Sequence, residues 1–227
     1  VKRLVAGAVL LGALAVAPSA GATNECRGLN PCVPVAGPWV VAPTASTLPR
    51  PEVQYQLTCP KGFVVAGLDA ELSDQAIDLA FFGSSGAPVS PGVTTSRSAV
   101  FVATYVGTNP RAPTFRPHIG CVPASGGGTR TPTAVRAATP PGHPTVRRVA
   151  TTRVHARTLV VASCHADERL VAWYSARGFA TATPPAPALV ASLRTTGRAS
   201  GNRVSVVARA TRGQGLVQVS AVCAGGK

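Results

Sequence analysis

The sequence predicts an all-β protein made of two tandem small β-sandwich domains, Ig-like or jelly-roll-like, each closed by one internal disulfide. Three observations lead there. Residues 56–122 alternate apolar and polar side chains and carry a cysteine near each end. Residues 158–224 repeat that plan, with Cys59 matching Cys164, Val100 matching Val204 and Cys121 matching Cys223 at offsets of 105, 104 and 102 positions. A chain of 227 residues is long enough for two units of roughly 80 to 100 residues. Units of that size bury little core and gain much from covalent staples.

Residues 1–22 read as an export signal. Lys2 and Arg3 precede the apolar run Leu4–Ala17, and Ala20-Gly21-Ala22 has the small-x-small pattern of a cleavage site. The run is too short to cross a bilayer as a helix, and Cys26 follows Thr-Asn-Glu rather than the small residues of a lipidation site. The expected mature protein is therefore secreted, without a transmembrane segment. Residues 23–38 form a cysteine-hooked lead-in, where Pro31, Pro34 and Pro38 oppose helix and central strand.

The first domain, 39–122, opens with the apolar triplet Trp39–Val41. In Glu52–Thr58, Val53, Tyr55 and Leu57 share one face. Pro60-Lys61-Gly62 is turn chemistry, and strands follow at Phe63–Leu72, Ile77–Phe82, Ala99–Val106 and Phe115–Val122. A helix over Asp69–Leu79 is the competing expectation, because Ala, Leu, Glu and Gln are good helix formers. Gly83–Gly92 is a loop, and the Pro-, Gly- and Thr-rich segment 123–145 is a linker. In the second domain, 146–227, strands fall at Thr158–Cys164, Arg169–Ser175 and Leu216–Cys223. In the last of these Val217, Val219, Ala221 and Cys223 point one way and Gln218 and Ser220 the other, the pattern of a sheet with one buried face.

Six cysteines in an exported chain read as disulfides and allow 15 pairings. The repeat makes one far simpler than the rest: Cys26–Cys32, Cys59–Cys121 and Cys164–Cys223.

The opening motif Cys59-Pro60-Lys61-Gly62-Phe63-Val64-Val65-Ala66-Gly67 and the closing Ala221-Val222-Cys223-Ala224 resemble those of uncharacterised secreted proteins of high-GC bacteria. Those proteins carry Cys-Pro-x-Gly-x-x-Val-x-Gly-Gly early in a β domain. The second copy departs from it, since Cys164-His165-Ala166-Asp167 lacks the proline and the turn glycine. The resemblance implies an exported, disulfide-bonded β domain and supplies no catalytic residue.

The net charge of +14 is unevenly placed. Residues 23–122 hold six basic and six acidic residues, whereas residues 123–227 hold fourteen basic residues against Asp167 and Glu168, a net of +12. Arg130, Arg136, Arg147, Arg148, Arg153 and Arg157 run through the linker into the second domain, followed by Arg194, Arg198, Arg203, Arg209 and Arg212. Such a field attracts an anionic polymer or envelope surface, with Arg147, Arg148, Arg153, Arg157, Arg203 and Arg209 as the candidate contacts. Aromatic residues to stack nucleobases are few there, so no specific nucleic acid is expected. GC-rich coding accounts equally for arginine outnumbering lysine 19 to 3.

Other candidates are thinner. Asp69, Glu71, Asp74 and Asp78 offer hard oxygens to a cation such as calcium, or simply a solvated strand face. His118, His143, His155 and His165 lack zinc-site spacing and fit exposed or capping roles. Ser84 and Ser85 in Gly-Ser-Ser-Gly do not make a nucleophile elbow. No cofactor is expected. The function expected is a non-enzymatic binding or cell-envelope role, with a hydrolase or a purely structural surface protein as alternatives.

Overall fold

The computed structural model describes residues 23–44, 48–83, 97–108, 112–124, 145–213 and 215–225. Residues 1–22, where an export signal is expected, Ser84 and Ser85, most of the expected linker, Arg130, Arg136 and His143 lie outside the described residues. The chain is all-β. In the first half run β1 (Val33–Ala36), β2 (Trp39–Val41), β3 (Glu52–Thr58), β4 (Phe63–Leu72), β5 (Ile77–Gly83), β6 (Ser98–Tyr105) and β7 (Thr114–Pro123). The second half holds β8 (Thr145–Val154), β9 (Arg157–Ser163), β10 (Glu168–Phe179), the short helix α1 (Pro187–Ser192), β11 (Leu193–Ser200), β12 (Arg203–Ala210) and β13 (Gly215–Gly225). The helix considered over Asp69–Leu79 does not form. β4 and β5 occupy that stretch, joined by a turn in which the Asp74 carboxylate accepts the Ala76 N–H.

Each half is a sandwich. In the first, the sheet β3-β6-β5 faces β4, β7 and β2 across a core of Tyr55, Leu57, Val65, Phe101, Phe115 and Ile119. In the second, β9-β12-β11 faces β10, β13 and β8 across Val160, Phe179, Leu193, Val204, Val206 and Val217. The Cys59–Cys121 bridge ties the end of β3 to β7, the Cys164–Cys223 bridge ties the end of β9 to β13, and Cys26–Cys32 closes the lead-in. All three expected pairings are present. The B-E-D and C-F neighbours of an immunoglobulin sandwich, with their B–F disulfide, are arranged likewise.

The repeat extends to detail. The β4–β7 ladder bulges between Val65 and Gly67, and the β10–β13 ladder bulges between Leu170 and Ala172, 105 positions later. In the first copy the turn into β4 is made by Gly62 at φ +85°, a conformation open to glycine, with the Phe63 N–H donated to the Pro60 carbonyl. The second copy lacks that glycine, yet the Glu168 N–H meets the His165 carbonyl in the same way. Side chains hold it instead: the Glu168 carboxylate accepts the His165 N–H at 2.8 Å, and Asn202 donates to the Glu168 carbonyl.

The halves are not beads on a string. β2 pairs with β7 on one side and with β10 on the other, so one seven-stranded sheet runs through both. Val40 enters the first core and Val41 the second. Neighbouring residues on a strand face opposite ways, so the two three-stranded sheets cover opposite faces of the shared sheet. Consequently the polar phase of β13, which the sequence pattern leaves outside the core, is buried: Gln218 is 4% and Ser220 2% exposed. Gln218 meets the free edge of β3, where its Oε1 accepts the Gln56 N–H at 2.7 Å and its Nε2 donates to the Gln56 carbonyl at 3.0 Å. One amide thus stands in for a missing neighbouring strand. Gln218→Ala should leave both main-chain groups of Gln56 without a partner and cost roughly 2–4 kcal/mol in chemical denaturation.

The lead-in seals the other face of β4 and β7. The Glu25 carbonyl lies where a side chain on Gly67 or Gly120 would stand, 1.7 and 2.0 Å from the Cβ positions, so both sites require glycine.

Candidate functional site

Three of the four acidic candidates of the first half are already engaged. Asp69 accepts the Asn24 and Ala70 N–H groups, Glu71 binds His118 and Arg116, and Asp74 binds Ala76 and Tyr105. Asp78 lies exposed on β5. Asp69, Glu71, Asp74 and Asp78 do not gather into a ligand cluster among the described residues. Cys164, Glu168 and Cys223 do gather there, but both sulfurs are locked in a disulfide and offer no thiolate to a metal.

The histidine expectation needs correcting at one position. His118 is neither exposed nor a cap: it is 5% exposed, with Nε2 2.9 Å from Glu71 and Nδ1 3.8 Å from Glu25 of the lead-in. Two carboxylates on one imidazole have the composition of an acid–base group, but the lead-in covers it, so it clamps the N-terminal hook to the sheet. His155 and His165 are exposed.

The arginines divide into two sets. Arg147 spans the joint between the halves: it donates to Ser220 at 2.9 Å and to Gln54 of β3, and its guanidinium lies 5.3 Å from the Tyr174 ring centre. Burial lowers its pKa, opposed by Tyr174 and Glu52. Arg148 is bound in two-pronged fashion by Glu168, whose carboxyl is held down to about 2, first by that hydrogen bond and then by the His165 N–H. These two candidates therefore serve the fold. A carboxyl depressed in the folded state stabilises fully above its ordinary value of 4.5 and loses that contribution as pH falls toward 2. The melting temperature should accordingly drop between about pH 4.5 and 2, and Glu168→Gln should flatten that part of the profile.

Arg157 and Arg209 pair directly across β9 and β12, and Arg209 pairs with Arg194 across β12 and β11. Directly paired residues share a face, and the alternate residues Val204, Val206 and Ala208 are in the core. The three arginines therefore form one row on the outer face. Beyond them on the same face come Leu159, Val207 and Thr196, then Val161, Ser205 and Arg198, then Ser163, Arg203 and Ser200. No carboxylate stands in these rows. All five arginines are exposed, and none of their guanidinium groups has a hydrogen-bond or ion-pair partner among the described residues. A shallow trough of about 710 Å³ crosses the face between Leu159, Arg198 and Arg203. Arg153 is exposed on β8, away from these rows.

The first half provides an internal control. Glu52 pairs with Thr104 as Arg157 pairs with Arg209, each residue 105 positions earlier, and Thr104 pairs with Asp78. The same row of the same sheet is thus acidic there. Neither the fold nor a uniform coding bias dictates arginine at this place, and like charges in register cost a few tenths to 1 kcal/mol per pair.

The sequence marked Arg157, Arg203 and Arg209 individually. It did not show that Arg194 completes the row of Arg157 and Arg209, or that Leu159 stands between that row and Arg198 and Arg203. A strand is expected from the sequence at Thr158–Cys164 but none over 193–200 or 203–210, so neither the outward phase of β11 and β12 nor the pairing of the three strands was legible in it. No family model, curated protein or solved structure matches this chain.

Proposed function

We propose that this is an exported protein that binds an anionic polymer or envelope surface through the outer face of β9-β12-β11. The observation that carries the reading is the in-register row Arg157–Arg209–Arg194, unpaired and facing solvent, with Arg198 and Arg203 on the same face. Repulsion along the row disfavours it in isolation, and a multivalent anion turns that repulsion into attraction. Guanidinium groups suit phosphate, sulfate and carboxylate because their donors form a planar fork. Export is supported by the N-terminal pattern of residues 1–22 and by three disulfides, which persist in oxidising compartments. Among the described residues no helix is long and apolar enough to cross a membrane. The test is retention of the intact chain on immobilised heparin at low salt, with affinity falling linearly on a log–log plot as salt rises. Passage straight through the column at low salt would end the reading.

A further inference from the structure

We infer that the occupant of this face is the surface of an anionic lipid bilayer, with Leu159 entering the headgroup boundary while the arginines hold lipid phosphates. The inference rests on the anion-binding reading and adds to it from a different observation, the apolar residues among the charges. Leu159 is 58% exposed, the most exposed large apolar side chain of the second half among the described residues. It stands one row from Arg157, Arg209 and Arg194, beside Val207 and followed along β9 by Val161. On the far side lie Arg198 and then Arg203, six residues from Arg209, or about 20 Å along an extended strand. The face is therefore a basic margin, a small apolar band and a second basic margin.

A dissolved polyanion rewards only the guanidinium groups and leaves the leucine in water. A bilayer interface rewards both, since phosphates lie at the level of the arginines and the acyl boundary begins just below. The arginine stems can lie along the band while their heads reach phosphate.

The experiment uses the intact, oxidised protein, sedimented with sucrose-loaded vesicles of phosphatidylcholine alone or with phosphatidylglycerol, beside the heparin column. Leu159 is exposed, so Leu159→Gln should fold, and resistance to proteolysis checks this. The expected result is binding to the anionic vesicles and not to the neutral ones. Leu159→Gln should reduce vesicle binding roughly tenfold while eluting from heparin where the wild type does. Arg157→Gln should weaken both. Vesicle binding unchanged in Leu159→Gln would overturn the inference, as would retention on heparin without binding to anionic vesicles, which would make a soluble polymer the occupant. Loss of both in the wild type would instead remove the underlying anion-binding reading.

Discussion

With Arg157, Arg194 and Arg209 all replaced by glutamine, affinity for heparin at fixed salt should fall by about two orders of magnitude. Each guanidinium close to an anionic surface is worth about 1 kcal/mol, and the salt slope should lessen by about one for each contact removed. The row is specific in what it predicts for stability. Its members repel one another and bind nothing internal, so the triple variant should melt at or slightly above the wild-type temperature. Arg148→Gln should do the reverse, leaving elution unchanged while lowering stability, because Glu168 then loses its counter-charge. Elution of the triple variant with the wild type would show that the face does not bind anions. A general excess of positive charge, by contrast, would make any three exposed arginines equivalent, and Arg153, Arg169 and Arg212 supply that comparison.

Removing either long disulfide should be the most damaging change to the fold. The Cys59–Cys121 and Cys164–Cys223 bridges close 62 and 59 positions of chain, and loop-closure entropy assigns each about 4 kcal/mol. The six-position Cys26–Cys32 loop is worth about half that by the same relation. The architecture adds a sharper expectation. Because β2 pairs with strands of both halves and Gln218 caps the edge of β3, the two sandwiches should unfold together. Calorimetry should show one transition, shifted downward by the double replacement Cys59→Ala/Cys121→Ala or equally by Cys164→Ala/Cys223→Ala. Two separable transitions, each responding to one bridge, would contradict the shared sheet.

Much of the fold was legible because alternation and turn chemistry are local. Glu52–Thr58 and Phe63–Leu72 form strands with the expected limits, and the repeat selected the three disulfides. What was not legible depends on distant partners. Gln218 reads as a solvent residue by phase, yet the strand edge it satisfies lies 162 positions away. His118 gave no sign of burial because Glu25, Glu71 and the closing glycines are scattered over the first half. β1 forms despite Pro34 because it lies along β7 only, where a missing N–H on the open side costs nothing. Of the arginines, the charge was foreseeable, whereas the separation of the half-buried Arg147 and Arg148 from the exposed outer row required knowing which carboxylates and amides each could reach.

The double allegiance of β2 bears on how the protein can be dissected. Cutting between residues 124 and 145 would deprive β10 of its neighbour β2 and leave a bare hydrogen-bonding margin on the C-terminal piece, prone to stick to others of its kind. The N-terminal piece would in turn present β2 with one side unfilled. Separately produced pieces should therefore seek each other out and rebuild the parent on mixing, which would make this chain a candidate split reporter.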